Sequence, residues 1–352
     1  MVSVVVVNWN GERYLGDCLR AVLAQQPPPG EVIVADNHST DASRHLLATE
    51  FPEVTVLDLG SNLGPGAARN RGVSAARHDR VLCLDNDVIL QPGVLAALAC
   101  VLDADPQTAM VQARSVLAAD PSVVHYDAAD VHYLGLLVLH NWYRPLASAT
   151  PIDRPVSGGV GLCFLVRKSA FLDVDGFNEP MFFFFEDNDF ALRLRLRGHL
   201  VRVAADAVVL HRGGTDGLSM RGEGARYPER RTFLHSRNRW ILLLTCLHWR
   251  TLILTLPAQL AYGVVHLAFA AGQGHFLAWW RGKLDLCRRL PDLWRRRRVV
   301  QSRRRCSDRS LLVAAPFTFN PQIGRRGLGG LARRLMDVAF IGYWRCVGWA
   351  CG

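Results

Sequence analysis

"VLCLDNDVIL" runs from Val81 to Leu90. An unbroken apolar run, Val81 to Leu84, meets Asp85, Asn86 and Asp87, and apolar residues resume at once. A short continuous apolar run of this kind reads as a strand covered on both faces, as parallel sheets require. Side chains two apart on an extended chain point the same way, so Asp85 and Asp87 can converge on one hard cation. Mg²⁺ or Mn²⁺ suits such oxygen ligands, and a cation with open positions neutralises a diphosphate leaving group. The same three residues would also make a plain acidic turn. Their place in the chain separates the two readings.

Upstream, one rhythm repeats. Short β-branched runs occur at Ser3–Val7, Glu31–Ala35, Val54–Leu57 and Arg80–Leu84, and helix-compatible segments fill Glu12–Ala24, Asp41–Thr49 and Gly64–Ala76. Strands alternating with helices predict βαβ units and a parallel sheet with helices on both faces. In such sheets ligands gather beyond the carboxyl ends of the strands. Three polar tips fall there: Asn8-Trp9-Asn10, Asp36-Asn37 and Asp85-Asn86-Asp87. At the second tip, Asp36 would accept hydrogen bonds from a nucleobase imide or ribose hydroxyls, or close an Asx turn, with Ser39 or Asp41 capping the next helix. Gly64 and Gly66 open a helix whose first amides would face phosphate, with Arg69 one turn on. The pattern is not a full G-x-G-x-x-G, because position 69 is Arg.

Further along, "SGGVGLCFLVRK" (Ser157–Lys168) predicts a strand opened by glycines. "MFFFFEDNDFALRLRLRGH" (Met181–His199) sets four phenylalanines against Glu186, Asp187 and Asp189. Leu and Arg then alternate, which taken literally is a strand pattern. Acids at the start, arginines at the end and Gly198 as a stop favour a helix. Ionisation is favoured at a helix mouth and opposed by the phenylalanines, and such opposed effects can poise a general base. The acids would equally serve only to stabilise the helix. His211 ends the apolar run of "VVLHRGG" and would suit a third divalent-cation ligand beside two Asp.

The 352 residues carry a net charge of +10, unevenly spread. Residues 281–352 hold 17 Lys/Arg against 4 Asp/Glu, a surplus of 13, leaving the first 280 residues at −3. The basic end therefore looks for a polyanionic surface. Thirty residues between Arg250 and Arg281 lack any charge, and Thr251–Ala271 is long enough to cross a bilayer. Pro257, Gln259, Gly263 and His266 interrupt it, and basic residues flank both ends, so a hairpin or helices lying in the cytoplasmic interface are expected. A buried core helix pair is the alternative. The clusters Arg295–Arg298 and Arg303–Arg305 lack interleaved aromatics, which favours anionic lipid over nucleic acid. Nine cysteines in irregular spacing suggest neither a disulfide framework nor a zinc site. The N-terminus lacks a basic n-region and reads as a strand rather than a leader.

In order along residues 1–240, "VSVVVVNWNG", "VIVADNHSTDAS", "NLGPGAARNRG", "LDND", "SGGVGLCFLVRKSAFLDVDGFNEPMFFFFEDNDFALRLRLRG" and "HRGG" resemble glycosyltransferase family 2. Within it, the chain is similar to rhamnosyltransferase-type enzymes of bacterial cell-wall and O-antigen assembly. That resemblance implies an α/β GT-A fold, Rossmann-like, with a mostly parallel sheet and an apolar, basic helical region after it. It implies a glycosyltransferase domain over 1–235, its nucleotide-binding half 1–100 and acceptor half 101–235. A membrane-associated helical region, 236–300, and a basic tail, 301–352, would follow. Asn8, Asp36, Asn37, Arg69, Asp85 and Asn86 would bind the nucleotide-diphosphate sugar. Asp85, Asp87 and His211 would hold Mg²⁺ or Mn²⁺, Asp87 most directly. Gly158, Gly159, Glu186 and Asp189 would lie on the acceptor side. Asp187 would deprotonate the acceptor hydroxyl, with inversion at the anomeric carbon. A lipid-linked or glycan acceptor, a donor carrying deoxythymidine or uridine diphosphate, and an anionic membrane surface on the cytoplasmic side are the implied partners, with no nucleic acid. Two departures, Asn178 in the Asp175–Glu179 element and Ala42 where glycine is usual, lie outside this chemistry. A haloacid-dehalogenase-type phosphatase is the rival enzyme class, because "LCLDNDVI" approaches its D-x-D-x-[TV] element. Ile89 and the late position of the stretch disfavour it. A non-catalytic membrane or nucleic-acid binder is the third class.

Overall fold

The computed structural model describes residues 1–213, 227–318 and 327–352. Its strands and helices alternate at first as the sequence predicts: β1 (Val2–Asn8), α1 (Glu12–Leu23), β2 (Glu31–Asp36), α2 (Ser43–Glu50), β3 (Thr55–Asp58), α3 (Pro65–Ala75) and β4 (Arg80–Asp85). Then come β5 (Val88–Leu90), α4 (Val94–Asp103), β6 (Thr108–Leu117), β7 (Asp120–Tyr126), β8 (Ala128–His132), β9 (Leu137–His140), β10 (Cys163–Arg167), α5 (Lys168–Asp173), α6 (Glu186–Leu196) and β11 (Leu200–His211). Helices dominate the rest: α7 (Glu229–Cys246), α8 (Trp249–Gly272), α9 (Phe276–Arg288), α10 (Leu290–Ser302), α11 (Asp308–Leu311), the short strand β12 (Leu312–Val313) and α12 (Gly327–Val347).

The main sheet has the order β3-β2-β1-β4-β10-β6-β11-β5, with β7 on the side of β6. β3, β2, β1 and β4 are parallel, and β6 runs parallel to β11, while β10 is antiparallel to both β4 and β6. The run of valines in β1 is buried throughout, one set of side chains packing under α1 and the other under α3. α3 can approach that closely because residue 72 is Gly: a Cβ there would come within 2.2 Å of Val5 Cγ1. The 3-2-1-4 order places the first, second and fourth strand tips along one edge, where α/β sheets bind ligands.

α6 settles the helix-or-strand question for the Leu/Arg ladder. Phe190 and Leu194 pack into the sheet-side core, whereas Leu192 and Leu196 pack into a second core with Ile241, Leu243 and Leu252. The helix is thus buried on two faces, which is why its pattern looks strand-like. Gly198, at φ +96°, ends it.

Two expected boundaries are corrected. The division at 235/236 falls inside α7, one continuous helix. The expected basic tail, 301–352, folds back instead: β12 adds to β8 in a three-stranded sheet with β9, and Tyr133 Oη donates to the Phe340 carbonyl at 2.9 Å.

Candidate active site

The three predicted strand tips do meet, but they are not equally open. Asn8 is fully buried and donates through Nδ2 to Asp36 Oδ1 (2.8 Å) and Ser39 Oγ (3.1 Å), while its Oδ1 accepts from Asn86 Nδ2 (2.7 Å). Asp36 has no exposed surface. Its carboxylate also accepts from the Ser39 backbone N–H (2.9 Å), Ser39 Oγ and Arg44 Nε (3.1 Å). The Asx-type turn therefore accounts for Asp36, correcting its expected role as a direct nucleotide ligand. Asn37 is likewise spent on the loop before α3, its Oδ1 accepting from the Leu63 N–H at 3.2 Å. Arg44, unmarked by any motif, bridges Asp36 and Asp58.

At the fourth tip the two aspartates part company. Asp85 Oδ1 pairs with Arg69 Nη2 at 2.5 Å, and the same guanidinium nitrogen donates to the Gly161 carbonyl. Burial pushes the Asp85 carboxyl up to about 6, against the pull of Arg69. Asp87 turns instead to β11, where its Oδ2 lies 3.2 Å from His211 Nε2. The expected three-ligand set is narrowed: Asp87 and His211 converge, while Asp85 is committed to Arg69. Among the described residues no group of three or more His, Cys, Asp or Glu side chains forms a cation site. A carboxylate oxygen and an imidazole nitrogen this close nonetheless suit a divalent ion that takes its remaining ligands from a substrate diphosphate and water. His125 went unnoticed in the sequence, where no spacing marks it. Its Nδ1 lies 3.1 Å from His211 Nδ1, which leaves Nε2 of His211 toward Asp87.

α6 brings its acids to the opposite side of Arg69. Gly158 and Gly159 let the segment before β10 pass close to α6: a Cβ on Gly159 would sit 2.7 Å from Ala191 Cβ. Asp187 Oδ2 accepts from the Gly161 N–H at 3.0 Å and Oδ1 from the Asn188 N–H at 2.8 Å. Burial raises its proton affinity despite those bonds. Glu186 is more strongly affected. Burial first, then the neighbouring Asp187, pushes it up to about 8, and its Oε2 is buried without a hydrogen-bond partner. At neutral pH Glu186 therefore favours its protonated form, and burial pushes Asp187 in the same direction. Arg69, itself buried, supplies the opposite charge to Asp85, Glu186 and Asp187 together.

Asp189 is corrected. It has no exposed surface and pairs with Arg193 Nε at 2.8 Å, while Arg193 also donates to the carbonyls of Val174 and Gly176. It builds the fold and does not face an acceptor. Phe185 packs against His235, and Phe182 and Phe184 lie under Arg230 and Arg231, which fastens the loop to α7. A cleft of about 470 Å³ opens on the acceptor half, lined by His140, Asn141, Trp142, Arg144, Phe317 and Arg333. Trp142 lies against the His125 ring, 5.1 Å between centroids, so the cleft borders the His211–Asp87 pair. Gly214, the last residue of "HRGG", lies outside the described residues.

A mostly parallel sheet with acids at its edge and a carboxylate-bearing helix opposite is the layout of an α/β enzyme. The sequence profile of glycosyl transferase family 2 matches residues 3–174. An N-acetylglucosaminyl-diphospho-decaprenol L-rhamnosyltransferase of Mycobacterium tuberculosis is 32% identical over 237 residues, covering 60% of this chain and 76% of that protein. The chain belongs to glycosyl transferase family 2, is a glycosyltransferase, and is similar to the rhamnosyltransferase-type members of that family. Among solved structures, S. aureus TarS 1-349 in complex with UDP-GlcNAc superposes with a TM-score of 0.52 at 19% identity, over 97% of this chain and 89% of that one. GalNAc-T7 with UDP, GalNAc and Mn²⁺ also gives 0.52, at 13% identity; it matches 66% of this chain, which spans about half (47%) of that protein. Both show the GT-A fold. Family membership sets aside the phosphatase and non-catalytic readings.

Proposed function

We propose that this glycosyltransferase moves a rhamnose-type sugar from a nucleoside-diphosphate donor to a hydroxyl of a lipid-diphosphate-linked glycan, inverting the anomeric carbon. The observation that carries the reading is the pairing of Asp187 with Glu186 across Arg69 from the Asp87–His211 pair. Asp187, anchored by two backbone N–H groups, takes the proton from the acceptor hydroxyl as its oxygen attacks the anomeric carbon. The bond to the diphosphate breaks on the opposite face, which gives inversion. Protonated Glu186 keeps a second negative charge away from the incoming oxygen. Arg69 and Asp85 fix the floor between donor and acceptor. Asn8 and Asn86, and the loop organised by Asp36 and Asn37, shape the nucleotide side. Gly158 and Gly159 give the acceptor side its close packing, and the cleft beside Trp142 is the acceptor's approach. Asp87 and His211 would hold Mg²⁺ or Mn²⁺, which supplies charge neutralisation of the departing diphosphate. The name of the mycobacterial relative supports rhamnose and a polyprenyl-diphosphate acceptor.

The helical region supports work at a membrane surface. α8 is the one helix among the described residues long and apolar enough to cross a bilayer, and only 28% of its most apolar window is buried. Its polar residues Thr251, Thr255, Gln259 and His266 face the protein, and Ile253, Leu256, Leu260 and Val264 face out. α9 adds Leu277, Trp280 and Leu284 to that surface, and α10 adds Trp294. Exposed Arg250, Arg281, Arg288 and Arg295 flank it. Such a face lies in the interface of an anionic, hence cytoplasmic, leaflet.

The test is transfer from deoxythymidine-diphosphate rhamnose to synthetic polyprenyl-diphosphate N-acetylglucosamine, with donor binding followed by thermal stabilisation with and without Mn²⁺. Asp187→Asn is expected to lower turnover by about 10³-fold or more while sparing donor binding. Asp87→Ala is expected to abolish the Mn²⁺-dependent part of the stabilisation. Near-normal transfer by Asp187→Asn would overturn the base assignment.

A further inference from the structure

The segment that delivers Asp187 is held in an unusual backbone conformation. Phe182, Phe184 and Phe185 have φ values of +63°, +72° and +80°, a region that side-chain-bearing residues rarely occupy. Such conformations persist only where surroundings over-determine them. Arg230, Arg231 and His235 pack on the rings, and one side chain with its neighbour holds the backbone. Asn238, fully buried on α7, donates through Nδ2 to the carbonyls of Met181 (2.9 Å), Phe183 (3.0 Å) and Phe184 (2.7 Å). Its Oδ1 accepts from Arg237 Nε at 2.8 Å, which fixes which end of the amide faces the loop. Arg237 itself donates to the carbonyls of Pro180 and Met181, and Asp285 of α9 holds it through Nη1 at 2.9 Å.

We propose that Asn238 is a positioning residue for the transfer: by gathering three loop carbonyls on the side away from the site, it sets the left-handed turn at Phe184–Phe185 and so the direction of Asp187. Phe185 is the residue that caps α6, and Asp187 follows two positions later, so a flip at Phe184 or Phe185 redirects the base. No other side chain in the described structure bonds more than two of these carbonyls. The amide carries no charge and touches neither reacting partner; it acts through Asp187 alone. The inference rests on the reading of Asp187 as the base.

The experiment uses the full chain with the rhamnose donor and synthetic acceptor above. Asn238→Asp keeps the shape but turns the donating nitrogen into an oxygen facing three carbonyls, and Asn238→Ser keeps one short donor. Asp187→Asn runs alongside. Expected for Asn238→Asp is a fall in kcat of about 10²-fold, the size of effect a misplaced catalytic group produces. Donor KM stays within about threefold, and the acid limb of the kcat–pH profile, which reports the base, moves by about half a unit or more. Asn238→Ser is expected to fall between it and the parent, and it decides the matter by the same criteria if Asn238→Asp does not fold. The proposal is overturned if kcat is retained, or if kcat, donor KM and melting temperature decline together with an unmoved pH profile, as for a purely structural residue. If Asp187→Asn is inactive while the Asn238 variants are active, this inference alone falls. If Asp187→Asn remains active, the base reading falls and takes the inference with it.

Discussion

β4 and α8 are comparable in apolar content but bury opposite things. In β4, Val81, Leu82, Cys83 and Leu84 are fully enclosed and the polar residues collect at the strand tip. In α8 the enclosed stripe sets Thr251, Thr255, Gln259 and His266 beside Leu252, Ala258 and Ala270, while Ile253, Leu256, Leu260 and Val264 look outward. Gln259 shows what holds such a helix: its Nε2 donates to the Tyr133 carbonyl at 2.9 Å and its Oε1 accepts from Arg239 at 2.6 Å. The sheet is assembled by removing apolar surface from water. α8 is attached by a mixed face in which Gln259 bonds two partners and Leu252 and Ala258 pack in the core, which leaves its other apolar face available for another solvent.

The sharpest way to break this contrast is to place one charge on each element. Leu84→Asp puts a carboxylate in the centre of the sheet, where its desolvation exceeds the roughly 5–15 kcal/mol that holds a typical domain folded, and no folded chain is expected. Ile253→Asp with Val264→Asp charges two positions that are 68% and 67% exposed. That double variant should melt within a few degrees of the parent and fail to float with vesicles of one-third anionic lipid. Loss of folding in the double variant would show that the outward face of α8 is packed after all.

A second pair of variants makes the same comparison inside α6. Asp189 is buried against Arg193, and removing one partner of a buried pair costs about 3–5 kcal/mol. Asp189→Ala should show that loss in denaturant unfolding. Asp187→Asn should stay within about 1 kcal/mol, because it removes a charge the site holds unwillingly. Equal losses in both would mean that Asp187 is as structural as Asp189.

These cases mark how far the sequence can be read. The βαβ rhythm was legible because continuous apolar strands have few other uses, and Asp87 with His211 was legible from strand ends. Asp36 and Asp189 misled for one reason: a carboxylate in a suggestive motif looks the same whether its partners are substrate atoms or its own backbone. Ser39 lies three residues from Asp36 and Arg193 four from Asp189, so both partners were in view, but spacing alone does not say which partner wins. His125 and Asn238 were invisible because their roles depend on elements far away in sequence. The inverted stripe of α8 was half legible: Gln259 and His266 were noted as interruptions of an apolar run, and they proved to be its inner face.

Acidity offers a third comparison, between the site and the rest of the fold. Glu186 is raised from its ordinary value near 4.5 to about 8. The folded chain therefore keeps a proton there that the unfolded chain has already released. Its contribution is whole below about pH 4.5 and is lost as pH rises through about 8. Asp130, held low by His140 and Arg154, behaves in the opposite sense and loses its contribution only in strong acid. Melting temperatures of the parent should fall more steeply between pH 5 and pH 8 than those of Glu186→Gln, which cannot ionise. Parallel curves would show that Glu186 is ionised throughout.

The smallest expected effect returns to the helical surface. Arg295 is exposed and pairs with equally exposed Asp292 at 3.2 Å, and such a pair adds little to folding. Arg295→Gln should therefore leave unfolding unchanged. Near an anionic bilayer the same cation has a different weight, because each basic residue at the surface strengthens attachment by about fivefold, an effect confined to a Debye length. Vesicle binding of Arg295→Gln should weaken by about that factor at low salt, and the difference from the parent should shrink as salt rises. The aliphatic variants of α8 should lose attachment at every salt concentration, since burial of their side chains in lipid is not screened. A salt-independent loss in Arg295→Gln would place Arg295 in a specific contact instead of a diffuse attraction, and the apolar and basic parts of this surface would then no longer be separable.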